Sequence, residues 1–297
     1  MNGVPNISLQ SQQSGWKDFI ELTKPRITLF CILMTLGGLA MAPQSVGFIT
    51  LTATLLGTAL SVGAANTLNM YWERATDKLM TRTASRPLAA ERLNPKWALG
   101  FGILQIVLSM LILTVAVNPL TAVLSLFAFA SYVFIYTPLK RVTPHALLIG
   151  AVPGAMPPLL GWTAATAEVS APGVVLFSIL LIWQIPHFIA ISFNHMHDYK
   201  NAGIKTWPGE RGAKPATYQA LLYSVALIPV SLLLLYFEVA GLVYGATAVA
   251  VGAWMLVANL KGLNPMKHPA WAKQLFFASL VYLPVLTVGL AIDVILQ

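Results

Sequence analysis

The sequence predicts an all-α polytopic membrane protein with nine transmembrane helices, and three observations carry that expectation. Of its 297 residues, 57% are hydrophobic and only 9% are charged, whereas a soluble domain carries about 25% charged residues. The apolar residues gather into nine runs of about 20, the length that crosses about 30 Å of hydrocarbon. Threading those runs back and forth leaves every Lys and Arg on one side.

The runs lie near 27–43, 48–71, 97–117, 119–136, 146–165, 173–193, 217–237, 239–259 and 274–295. Gly150, Pro153, Gly154, Pro157, Pro158, Gly161, Pro186 and Pro229 fall inside them, which membrane helices tolerate because neighbours re-satisfy the freed backbone. Ahead of the first run stand Lys17, Lys24 and Arg26. After the second come Arg74, Lys78, Arg82, Arg86, Arg92 and Lys96, and after the fourth Lys140 and Arg141. After the sixth come Lys200, Lys205, Arg211 and Lys214, and after the eighth Lys261, Lys267 and Lys273, which completes the 18 basic residues. The alternate connections carry only Glu168 and Glu238. The positive-inside rule then places the N-terminus in the cytoplasm and the C-terminus outside. One domain over residues 1–297 is expected, with a cytoplasmic tail over 1–20 that shows neither a signal-peptide core nor an Arg-rich presequence. Cys31 stands alone in an apolar run, which suits packing and excludes a disulfide framework. The net charge of +8 fits topogenesis and contact with anionic lipid. No basic soluble segment with interleaved aromatics suggests nucleic acid.

Carboxylates need a separate explanation. Asn69, Glu73 and Asp77 are spaced i, i+4, i+8, so they share one stripe of a continuing helix. They sit where the second run ends, at the negative end of the helix dipole, which disfavours acids. A divalent cation reverses that balance, and two carboxylates with an amide oxygen suit Mg²⁺ completed by water and phosphate. Asn194 and Asp198 repeat the spacing at the end of the sixth run, with Ala202 in the third place. Each pair of matching positions is 125 residues apart, the trace of a four-helix internal repeat. Arg82, Arg86, Lys140, Arg141 and Lys205 lie on the same side. Carboxylates that recruit Mg²⁺ beside these cations describe a diphosphate site, and the apolar bundle beneath describes room for a lipid tail. Solvated ion pairing of Glu73 and Asp77 with nearby cations is the competing explanation.

The stretch Asn69–Pro87, NxxxExxxDxxMxRTxxRP, resembles the first motif of the UbiA superfamily of intramembrane prenyltransferases, in the form of the branch that farnesylates haem. LTKPRIT at Leu22–Thr28, the segment Tyr136–Trp162, and WQIPHF with DYKNAGI within Trp183–Ile204 resemble the same branch. The likeness runs from about residue 20 to 210 and thereafter rests on hydropathy alone. It implies a nine-helix bundle with a central cavity in the bacterial inner membrane, transferring farnesyl from farnesyl diphosphate to a vinyl group of haem b with addition of water. It also implies Mg²⁺ held by Asn69, Glu73, Asp77 and Asp198, with Asn194 in the second ligand set. Arg82, Arg86, Lys140 and Arg141 would neutralise the departing diphosphate, with Lys205 beside them, and haem-oxidase assembly proteins would be partners. Two departures stand out: Ala202 replaces a second Asp, and His145 occupies a position where an amide is expected. His187 is the candidate haem contact, because a membrane-embedded His is functional by default; a structural His is the competing reading. His195 and His197 fit a solvated loop. A quinone-precursor prenyltransferase and a non-catalytic haem or lipid carrier remain as alternatives, and the second leaves the acidic stripe without a purpose. A cation-coupled transporter would place charges nearer the midplane.

Overall fold

The computed structural model describes residues 15–296, so residues 1–14 of the expected tail lie outside the described residues. The helices are α1 (Trp16–Leu22), α2 (Pro25–Met41), α3 (Phe48–Asp77), α4 (Pro95–Ala116) and α5 (Pro119–Ala130), which runs through a π-helical turn (Ser131–Tyr136) into α6 (Thr137–Leu139). Then follow α7 (Ala146–Thr166), α8 (Ala171–Asn194), α9 (Met196–Asn201), α10 (Trp207–Arg211), α11 (Ala213–Tyr236), α12 (Leu242–Leu260), a 3₁₀ turn (Lys261–Leu263) and α13 (Trp271–Leu296). No strand occurs among the described residues. Among the described residues eight helices are long and apolar enough to cross a membrane, and α2 is an apolar helix of 17 residues. Nine runs were expected, and α2 is the short one for a local reason. Pro25 opens it at the first turn, and Ala42, ahead of Pro43, is driven into an extended conformation that ends it.

Packing reverses the logic of a soluble helix. On α4 the buried residues are Ala98, Gly102, Gln105, Ser109 and Leu113, a stripe of mostly small or polar side chains facing α3. Leu104, Leu111 and Val115 point outward. Lipid tails are as apolar as Leu, so helices associate through close contact and internal hydrogen bonds rather than by hiding apolar surface. Ser109 Oγ accordingly donates to the Gly57 carbonyl at 2.6 Å. The tightest approach is between α2 and α7. A Cβ on Gly38 would lie 1.9 Å from the Pro158 carbonyl oxygen, and one on Gly161 would lie 2.0 Å from the Thr35 carbonyl oxygen. The two helices therefore touch backbone to backbone.

The two ends of the bundle differ in chemistry. At one end the Lys205 N–H donates to the Lys140 carbonyl at 2.8 Å, and Arg92 Nε donates to Asp18 at 2.9 Å, so the basic connections are tied together. At the other end the Asn118 side chain donates to the Thr163 carbonyl at 2.9 Å. There Asp293, buried on α13, accepts from the backbone N–H groups of Gly241, Val243 and Tyr244 at 2.8–3.0 Å. A carboxylate on the exposed donors of the first turn suits the positive end of α12.

Gly38→Ala and Gly161→Ala each force a backbone apart and should cost about 1–3 kcal/mol. Gly37→Ala, with nothing within 4 Å of the added Cβ, should leave stability unchanged or slightly raised. Thermal unfolding in detergent checks the ranking, and equal effects at all three positions would refute the close crossing.

Candidate active site

Helix α3 is 30 residues long, about 45 Å at 1.5 Å per residue, against about 30 Å of hydrocarbon. Its last turns therefore stand at the basic rim, and they carry Asn69, Glu73 and Asp77. The stripe survives intact: the three residues are 2%, 6% and 1% exposed, and all line a cavity of about 610 Å³. Arg86 Nη1 donates to both oxygens of Asp77 at 2.8 Å. Thr83 Oγ donates to the Asp77 carbonyl at 2.8 Å and closes the helix end. Lys140 pairs with Glu73 Oε1 as a charge contact rather than an aligned hydrogen bond.

Asn69 is held from two sides. Lys24 Nζ donates to its Oδ1 at 3.1 Å, and its Nδ2 donates to Thr137 Oγ at 3.1 Å. Thr137 reaches Asn69 because the π-helical turn offsets the end of α5; Thr137 Oγ donates in turn to the Tyr132 carbonyl at 2.8 Å. Such turns interrupt helices chiefly at functional sites. Lys24 is a non-glycine residue at φ 48°, a conformation retained where surrounding contacts over-determine it. Burial first, and then the Arg86 charge, pull its ammonium down to about 7, with Glu73 opposing. The rim is thus overstocked with cations: Lys24, Arg26, Arg82, Arg86, Lys140 and Lys205 line the cavity against the two carboxylates. That imbalance favours a polyanion.

Away from the rim the wall becomes apolar and aromatic, with Phe30, Phe129, Tyr132, Met156, Leu160 and Trp183. Tyr136 also lines it, resting on Gly150, where an added Cβ would strike the ring at 2.4 Å. One chamber therefore joins a basic, carboxylate-bearing mouth to an apolar interior.

Residues 31–281 match the model of the UbiA prenyltransferase family. The chain belongs to this family. Its relatives include a protoheme IX farnesyltransferase of Myxococcus xanthus, 44% identical over 97% of this chain and 98% of the relative. One from Sorangium cellulosum is 48% identical over 82% and 86%. Among solved structures, a digeranylgeranylglyceryl phosphate synthase superposes with a TM-score of 0.79 at 16% identity, covering 95% of this chain and 99% of that one. A UbiA homologue from Archaeoglobus fulgidus bound to GPP and Mg²⁺ superposes at 0.62 and 16%, covering 92% and 99%. These structures establish a shared UbiA fold, and the protein is an integral membrane prenyltransferase.

Against that UbiA fold, the expected site residues divide. Asn69, Glu73, Asp77, Arg82, Arg86, Lys140, Lys205 and His187 all line the cavity. Asn194, Asp198 and Arg141 do not line it; Asn194 and Arg141 are exposed, and Asp198 accepts a hydrogen bond from Thr81 at 3.3 Å. The cause is a break in the helix. Helix α8 ends at Asn194, His195 leaves helical geometry at φ −124° and ψ 27°, and α9 starts afresh at Met196. Four residues across that break no longer define one face. His145 packs edge-on to Trp207 at 5.1 Å, and His197 meets Asn201 at 3.1 Å. Sequence reasoning had not placed Lys24, Tyr132, Tyr136 or Thr137 in the site. Lys24 lies inside the LTKPRIT stretch, and Tyr136 and Thr137 open the Tyr136–Trp162 segment, but the contact of Thr137 with Asn69 depends on the π-helical turn, which the sequence does not show.

Two buried carboxylates one helical turn apart are hard oxygen donors that fit Mg²⁺, which is held by one or two carboxylates and completed by water and phosphate. No cluster of three acidic, His or Cys side chains stands ready for a metal among the described residues, so the fit is to a metal that arrives with its phosphate. Mg²⁺ with pyrophosphate at about 100 times its Kd should raise the unfolding free energy by about 2.7 kcal/mol, read as a thermal shift. Asp77→Asn and Glu73→Gln should reduce that shift to the background given by pyrophosphate alone. An undiminished shift in either variant would remove that carboxylate from the metal site.

Proposed function

We propose that this protein farnesylates haem: it transfers farnesyl from farnesyl diphosphate to a vinyl group of haem b, with addition of water. The observation that carries the reading is the continuity of the chamber. Its mouth offers carboxylates and surplus cations to a diphosphate, and its interior offers an apolar, aromatic lining to a prenyl chain and a flat macrocycle. The relatives' farnesyltransferase activity toward protoheme IX, across nearly the whole chain, supports the choice of substrates.

Heterolysis of the C1–O bond of farnesyl diphosphate leaves an allylic cation and pyrophosphate. Arg82, Arg86, Lys140 and Lys205 are placed to take up the charge that develops on the leaving oxygens, and preorganised charge in a dry site is the largest common source of rate enhancement. Mg²⁺, held by Glu73 and Asp77 with Asn69 beside them, adds to that neutralisation when bound. The rings of Tyr132 and Tyr136, 5.2 Å apart, offer the cation π-faces. The vinyl carbon attacks C1, and the new carbocation takes a water that loses a proton, giving a hydroxyethylfarnesyl substituent. Asp198, Asn194 and Arg141 join this machinery only if the connection around His195 re-forms against the mouth. In this reading the basic end faces the cytoplasm of a bacterial inner membrane, which the one-sided charge supports.

Purified protein supplied with haem b, farnesyl diphosphate and Mg²⁺ should yield a haem heavier by a farnesyl and a hydroxyl group, detected by mass spectrometry. Excess EDTA should stop the reaction. Glu73→Gln and Asp77→Asn should each lower kcat at least about 100-fold with haem binding retained. Unaltered haem under every condition would reject the reading in favour of a carrier.

A further inference from the structure

We infer that His187 binds the haem iron through Nε2, and that Ser279 is the positioning residue that makes this nitrogen available. The inference rests on the haem-farnesylating reading and deepens it.

A serine hydroxyl has one proton to donate. Ser279 Oγ spends it on the Phe276 carbonyl at 2.6 Å. The same oxygen lies 2.8 Å from His187 Nδ1, and it can only accept there, so Nδ1 carries the imidazole proton. The neutral ring then leaves Nε2 as a bare lone pair. Among the described residues Nε2 has no hydrogen-bond partner, and it is not among the buried polar atoms left unpaired. His187 lines the cavity, and Nε2 keeps accessible surface with which to meet a ligand there.

The ring is also clamped. It stacks between Trp183, at 5.0 Å and 19°, and Phe276, at 5.1 Å and 25°. Trp183 is fixed in turn, because its Nε1–H donates to the Ser279 carbonyl at 2.8 Å. Ser279 therefore orients both neighbouring rings, one through its backbone and one through its hydroxyl. A histidine that offers one nitrogen to a metal and donates the other N–H to a fixed oxygen is the usual arrangement of a metal ligand. The ligand class that fits a single neutral imidazole at an apolar, aromatic wall is a planar iron porphyrin rather than a small hydrated cation.

Protein loaded with ferrous haem b, without farnesyl diphosphate, should show one iron–histidine stretching band by resonance Raman. His187→Ala should lose the band and regain it on addition of imidazole. Ser279→Ala should keep a band at lower frequency, because Nδ1–H loses its acceptor, and should bind haem about 10-fold or more weakly. Binding of farnesyl thiodiphosphate with Mg²⁺ shows that each variant remains folded. An unchanged band in folded His187→Ala overturns the ligation, and a wild-type frequency in folded Ser279→Ala overturns the positioning role. The reaction is judged separately. Wild-type protein that farnesylates haem while His187→Ala keeps its band loses this inference and keeps the activity. Wild-type protein that ligates haem through His187 yet forms no farnesylated product keeps the inference and loses the activity.

Discussion

Two carboxylates buried at the end of one membrane helix set the terms for the rest of the structure. An ionised group withdrawn from water is tolerated only with a partner of opposite charge. Asp77 and Glu73 find theirs in Arg86 and Lys140, which come from two different connections. Those pairs fix where the connections run, and the connections then bring Lys205 and Thr81 to the same rim through the Lys205–Lys140 backbone bond and the Thr81–Asp198 bond. A bundle of apolar helices has little reason of its own to gather its loops, and the buried acids supply one.

Room for a chamber has to be made within close packing, and this chain makes it by bringing helices very close elsewhere. The contact of α2 with α7 at Gly38 and Gly161 leaves no space for a side chain. Around that contact Pro153, Pro157 and Pro158 interrupt the backbone ladder of α7, and Gln184 Nε2 donates to the Ala151 carbonyl at 2.9 Å, holding α8 against that segment. Gly150 and Gly154 face the Tyr136 ring and the Gln184 amide oxygen. The prolines and glycines of α7 thus shape one wall of the cavity, where side chains from α3, α5 and α8 meet.

What could be read in the sequence follows from which features are periodic. The Asn69–Glu73–Asp77 stripe was legible because helical spacing converts directly into a face, and α3 runs unbroken to Asp77. The same rule applied to Asn194 and Asp198 assumed a helix that stops between them, and nothing in FNHMHDYK marks the turn at His195. The one-sidedness of Lys and Arg was legible because it depends only on counting runs. Ser279 was not. A serine in an apolar helix ordinarily bonds its own preceding turn, as Ser178 and Ser192 do here, and only the register of α13 against α8 sets Ser279 beside His187.

The proposed function gives the chamber two anchoring points with different chemistry, the basic rim and His187. His187 is seven residues before the end of α8, about 10 Å along its axis, whereas Glu73 and Asp77 occupy the final turns of α3. A ligand held at the rim by its charge and a ligand held below it by a neutral imidazole occupy different depths and need not compete. Their reacting ends would then meet inside the chamber, along the wall that Tyr132 and Tyr136 line. That stretch of wall is where the π-helical turn departs from regular geometry, and where Thr137, Asn69 and Lys24 hold one another in a single hydrogen-bonded chain. A chain of hydrogen bonds in a low-dielectric wall holds its members in place. Rigidity is what a reaction through a short-lived allylic cation demands, since a displacement of about 1 Å already costs about 100-fold in rate.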